Sequence, residues 1–165
     1  MKHTLLFLLM ICACTLQATA TGKQPRLTDD ELMTLVQKQT FRYFWDFAHP
    51  ESGLARERSN DRLEIATIGG SGFGVMAIIV GVERGFITRE QGAERLLKIV
   101  EFLNKADSYH GIWAHWMDGA TGKTIPFSRK DDGADLVESA FMFEGLLAAH
   151  QYFTHDNPTE NRIRG

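Results

Sequence analysis

An all-α chain built from helical hairpins is the fold class this sequence predicts, and three observations predict it. Apolar residues recur at helical spacing in four separate segments, capping signals open two of them, and no strand-helix alternation of the parallel-sheet kind runs through the chain. In the first segment Thr28-Asp29-Asp30-Glu31 is a capping box, a Thr cap with Glu three residues on. Leu32, Leu35, Val36, Tyr43, Phe44 and Phe47 follow, which predicts a helix over about 29–47. His49-Pro50 ends it, because proline disfavours helical backbone at the residue before it. Residues 48–62 are polar and aperiodic, a long loop of a kind uncommon in compact domains unless it has a role.

The stretch "GGSGFGVMAIIVGVERG" opens a second helix near Ser71. It is apolar almost all round from Val75 to Val82, the pattern of a helix buried on most sides, and Gly85 stands where a C-cap glycine belongs. Thr88-Arg89-Glu90-Gln91 is another capping box, and Ala93, Leu96, Leu97, Val100 and Leu103 form the stripe of a third helix reaching about Lys105. The short link between second and third implies an antiparallel hairpin. Residues 109–128, containing "GIWAHWMDGATGKTIPF", place aromatic runs around an Asp-Gly and a Thr-Gly and predict a small β-hairpin or ordered loop. A fourth helix follows, from about Gly133 or Ala134 to Phe153.

The first 20 residues, "MKHTLLFLLMICACTLQATA", have a basic start, an apolar stretch and an A-x-A end, so residues 1–20 read as a signal peptide and residues 21–165 as the exported domain. The expected location is periplasmic or secreted. An alternative takes Ile11-Cys12-Ala13-Cys14 as a lipoprotein box anchored through Cys14. Both cysteines, Cys12 and Cys14, lie in that leader, so the exported part rests on packing without disulfides. No other segment is apolar and long enough to cross a membrane. With 18 Lys and Arg against 21 Asp and Glu there is no basic patch, and nucleic acid is not an expected partner.

Two glycine-rich stretches imitate nucleotide loops and fail. "IGGSGFG", residues 68–74, lacks the third glycine of the dinucleotide pattern because Val75 occupies it, and "GATGKT" has Met117 where a phosphate loop needs its first glycine. Close backbone approach at a helix N-terminus, to another helix or to a ligand, is the better explanation of the first. "IWAHWMD" gathers Trp113, His115 and Trp116, which suit either a platform for sugar rings or a buried core hairpin. His115 has no second His or Cys at metal-ligand spacing, so neither metal nor cofactor is expected.

"KDDGADLVESAF" sets three acids, Asp131, Asp135 and Glu138, at spacings of four and three at the mouth of the fourth helix. On a helix Asp135 and Glu138 would share a face about 5–6 Å apart. Acids near a helix N-terminus gain about 0.3–1 kcal/mol each from the dipole, which accounts for one or two of them, with Asp132 as a solvated cap. Glu138 lies deeper, flanked by Leu136, Val137, Ala140 and Phe141. Apolar neighbours and nearby like charges are expected to raise its pKa, as suits a general acid.

Together "LVQKQTFRYFWDFAHPESGLARERS", "GGSGFGVMAIIVGVERGFITREQGAERLLKIVEFL", "GIWAHWMDGATGKTIPFSRKDDGADLVESAFMFEGLLAAHQYF" and the closing "DNPTENRIR" resemble the bacterial glucoamylase-like family, whose glycoside hydrolases include endo-β-1,2-glucanases of Bacteroidetes. The resemblance implies an (α/α)6 toroid, anomer-inverting hydrolysis of β-glucan, export, and no metal. It also implies that Asp131, Asp135 and Glu138 line the sugar cleft. Arg56 and Arg58, in the long loop, become candidate contacts for sugar hydroxyls or partners of these acids, against simple surface exposure. The substrate expected is a β-1,2-linked glucose chain; a carbohydrate-binding or structural helical module without turnover is the alternative.

A six-hairpin toroid needs about twelve helices, and four are legible, so the chain reads as an N-terminal portion, expected to be inactive alone. Val75, Ile78, Ile79 and Val82 are expected to leave an apolar face open to self-association. An inverting pair also needs carboxylates about 6.5–9.5 Å apart, which Asp135 and Glu138 on one helix face do not provide.

Overall fold

The computed structural model describes residues 26–60 and 62–165, so the leader expected over residues 1–20 lies outside the described residues. The chain divides into two compact units, residues up to 33 and residues 34–165. In the first, the Thr28 hydroxyl accepts the Glu31 N–H while the Glu31 carboxylate accepts the Thr28 N–H, so the expected capping box is formed.

The described elements, in chain order, are α1 (Asp29–Trp45), β1 (Ile65–Thr67), α2 (Ile68–Glu83), α3 (Arg89–Leu103), β2 (Trp116–Asp118), β3 (Thr124–Ile125), α4 (Leu136–Tyr152) and α5 (Pro158–Arg164). The chain is thus largely helical, with a small antiparallel sheet in the order β1-β2-β3. Four helices match the expected ones, with shifted ends. α2 begins at Ile68 rather than near Ser71, directly after β1. α4 begins at Leu136 because Asp135 is its cap, not part of its body. A fifth helix adds to the four expected: Asn157 caps it by accepting the Glu160 N–H, and Pro158 sits in its first turn. No helix among the described residues is long and apolar enough to cross a membrane.

α2 is the centre of unit two, as its all-round apolar sequence requires. Ile68, Val75 and Ile78 are buried with Leu54, Leu96, Ile99, Met117, Met142 and Phe153 in one core. Each such side chain contributes about 1.5–3 kcal/mol relative to an exposed one. α2 and α3 form the expected hairpin. Gly85 turns at φ +66, where a side chain would be strained, and Thr88 and Gln91 close the second capping box.

The α2–α4 crossing is tighter than side chains allow. A Cβ on Gly72 would stand 2.2 Å from the Phe141 carbonyl oxygen, and one on Gly145 would stand 2.6 Å from the Gly72 carbonyl oxygen. Glycine on both helices lets the backbones touch, so the glycine-rich stretch serves helix approach. Only the Ser139, Met142, Gly145 and Ala149 stripe of α4 is buried.

The uncovered face is not the one expected. Val75 and Ile78 are interior and Ile79 and Val82 partly covered, whereas Phe73, Met76 and Val80 are exposed on α2, as are Leu136, Val137, Phe141 and Leu147 on α4. The periodicity located an apolar helix but not its phase, because α2 is apolar on every side.

Candidate functional site

The β2–β3 hairpin falls within the stretch expected to hold one, and it turns on Asp118, whose carboxylate accepts the Ala120 and Thr121 N–H groups. β1 joins it as a third strand, pairing Thr67 with Trp116 and Ala66 with Met117. Just before β2, residues 113–115 are stitched to the start of α4. Asp135 N–H donates to the Trp113 carbonyl at 2.8 Å, Trp113 N–H donates to the buried Ser139 hydroxyl at 3.0 Å, and Ala114 bridges Ala134. This stitching delivers His115 to the acids.

Asp135 is the cap of α4. Its Oδ1 accepts the Val137 N–H at 2.9 Å and the Glu138 N–H at 3.0 Å, and its Oδ2 lies 3.1 Å from His115 Nδ1. Burial pushes its carboxyl upward, but the Glu138 N–H, the His115 ring and the Val137 N–H together outweigh it and hold the group below its ordinary value. Asp131 lies in a tight turn with Ser128, and its own carbonyl accepts the Phe127 and Ser128 N–H groups. His115, Asp131 and Asp135 each offer one donor atom within 4.8 Å of the others. These are the residues that could share a cation or a proton. Sequence spacing misses this set because aspartates, not a second His or Cys, complete it.

Glu138 points elsewhere. Its Oε2 accepts the Gly69 N–H at 2.8 Å and the Thr67 hydroxyl at 3.2 Å, at the N-terminus of α2. The apolar residues beside it in sequence are not its environment, since Leu136, Val137 and Phe141 face outward. Asp135 and Glu138 therefore do not form a pair on one helix face: one caps α4 and the other reaches across to α2. Asp132 is exposed.

The tryptophans are packed rather than laid open. Trp116 is buried beneath Phe127, at 4.7 Å between rings, and its indole N–H has no partner among the described residues. Trp113 is half-buried against Phe143 and donates its indole N–H to the Leu103 carbonyl at 3.4 Å. The exposed aromatic at the site is Phe127, 4.3 Å from the His115 ring. It stands in the "TIPF" end of the hairpin stretch, where an outward aromatic was the available signal.

The contacts described for the two arginines are local ones. Arg56 donates to the Phe47 and Leu63 carbonyls, at 3.0 Å and 2.6 Å, and stacks over Phe47, so it ties the long loop together. Arg58 is exposed and pairs with Glu57 at 3.1 Å.

The fold is one of helical hairpins forming part of an (α/α)6 toroid, with a carboxylate-imidazole cluster at a helix mouth beside a small sheet. No established family profile matches the chain. Individual proteins do. An exo-β-1,2-glucooligosaccharide sophorohydrolase (non-reducing end) of Parabacteroides distasonis is 54% identical over 139 residues, covering 84% of this chain and 19% of that protein. The crystal structure of a candidate glucoamylase from Bacteroides uniformis matches with a TM-score of 0.85 and 84% identity over 86% of this chain and 35% of that one. An endo-β-1,2-glucanase from Chitinophaga pinensis, solved with sophorotriose and glucose, matches with a TM-score of 0.80 and 52% identity over 84% of this chain and 35% of that one.

The chain finds its homologues and structural neighbours among glucoamylase-like and endo-β-1,2-glucanase proteins, which match most of its length. It spans about a fifth of the length of the curated relative and about a third of each of these solved chains.

Proposed function

We propose that this chain is part of an exported glycoside hydrolase that cleaves β-1,2-linked glucose chains with inversion, and that Asp131, Asp135 and Glu138 line its sugar site. The observation that carries the reading is Asp135, an acid held low by two helix N–H groups and an imidazole, in a chain half-identical to a sophorohydrolase. Such a group suits the base side of the reaction or stabilisation of developing positive charge, not proton donation. Asp131 and Asp135 bring their oxygens within 4.8 Å, too close to flank a sugar and its attacking water. Asp131 is therefore not the opposing carboxylate of an inverting pair with Asp135. Export is supported by the leader-like residues 1–20.

The linkage is tested by offering the product of the complete gene β-1,2-, β-1,3- and β-1,4-glucans and measuring new reducing ends. Release from the β-1,2 polymer alone is expected. Binding to it without any release would leave a carbohydrate-binding module instead.

A further inference from the structure

What Glu138 touches sets it apart from the other two acids. Oε2 accepts from the Gly69 N–H and the Thr67 hydroxyl, while no hydrogen bond reaches Oε1 among the described residues. Thr67 is the N-cap of α2 but makes no side-chain cap bond, so Glu138 supplies the missing acceptor from a neighbouring helix. The fit is close. A Cβ at Gly69 would stand 2.6 Å from Oε2, 2.9 Å from the carboxyl carbon and 3.1 Å from Oε1. Thr67 also pairs with Trp116 across β1 and β2, so this seat is fixed to the sheet that carries the site.

We propose that Thr67 and Gly69 are positioning residues that seat Glu138 so that its free Oε1 offers one fixed acceptor to a sugar hydroxyl. Glu138 then orients the glucosyl unit and does not deliver the proton to the leaving group. A hydroxyl donating to Oε1 needs a lone pair there, and the two donors on Oε2 prevent the carboxylate from turning away. The proposal rests on the sugar-hydrolase reading above.

Gly69→Ala separates this role from a merely structural one. The new methyl meets the end of a flexible side chain, and alanine is the better helix former, so the melting temperature should hold or rise. Displacing Glu138 should nevertheless raise KM for β-1,2-glucooligosaccharides and lower kcat/KM about a hundredfold in the complete gene product. Adding Glu138→Asp, whose shorter side chain withdraws from the methyl, should recover part of that loss. Glu138→Gln should be slow yet keep both limbs of its pH-rate profile. An unchanged kcat/KM in Gly69→Ala, or loss of the basic limb in Glu138→Gln, would overturn the proposal. A wild type without turnover would overturn the role together with the hydrolase reading. Hydrogen exchange at the Gly69 amide that Glu138→Ala leaves unaltered would overturn the seat itself, whatever the activity.

Discussion

Asp135 does two things, and substitution can separate them. As cap of α4 it accepts two N–H groups, a role asparagine fills as well, whereas alanine would cost about 1 kcal/mol. As an anion beside His115 it needs its charge. Asp135→Asn is therefore expected to keep the helix content and melting temperature while lowering hydrolysis at least about a hundredfold; circular dichroism with a reducing-end assay checks both. The pH dependence has a definite sign. A carboxyl whose folded pKa lies below its unfolded one adds stability above the unfolded value and loses it as pH falls through the folded value. The largest such case is Glu160, held to about 2 chiefly by the Arg89 guanidinium, with the His155 N–H and Asn157 assisting against burial. Its bidentate bonds to Arg89 are 2.9 Å and 2.8 Å, and its side chain is 3% exposed. Stability on the order of 3 kcal/mol is expected above pH 4.5 and should drain away between about 4.5 and 2. Urea titrations across that window should show the slope, and Glu160→Gln should flatten it.

At the scale of elements, the α2–α4 crossing is what makes the site possible, because it sets Glu138 against the start of α2. Gly72→Ala would drive a methyl into the Phe141 carbonyl at 2.2 Å, a rigid backbone atom that cannot yield. A loss of about 3 kcal/mol or more is expected, measured as a fall in the denaturation midpoint. Gly69→Ala, one helical turn away, meets only a side-chain end and is expected to be tolerated. Sequence reasoning reached part of this. The glycines announced close approach, and the capping boxes at Thr28 and Thr88 fixed two helix starts, because both signals are local. The three residues of β1 carry no pattern of their own and become a strand by pairing with β2 and bridging Arg56. α5 carries a cap signal in Asn157-Pro158 followed by Glu160, but the segment is too short to show an apolar stripe.

For unit two as a whole, the outward apolar residues govern behaviour in solution. Phe73, Met76, Val80, Leu136, Val137, Phe141 and Leu147 are exposed, with the Phe73 and Phe141 rings in contact at 5.2 Å. An apolar patch of that kind favours association, so residues 21–165 alone are expected to sediment with a concentration-dependent mass. A monodisperse monomer would show that the patch is tolerated in water. The candidate site was legible in composition but not in geometry. Asp131, Asp135 and His115 do gather, yet Glu138 leaves the group for α2, and Arg56 bonds to carbonyls of its own region. Glu138 meets its partners through contacts 69 to 71 positions apart in the chain, beyond the reach of any local pattern.

The proposed activity is inverting hydrolysis of β-1,2-glucan that depends on Asp135. Proton NMR of the anomeric region, recorded in the first minutes after the complete gene product meets β-1,2-glucooligosaccharides, tests it most directly. The α-anomeric reducing ends are expected to appear first and equilibrate later, and Asp135→Asn is expected nearly to abolish the signal. First appearance of the β-anomer, or undiminished release by Asp135→Asn, would contradict it.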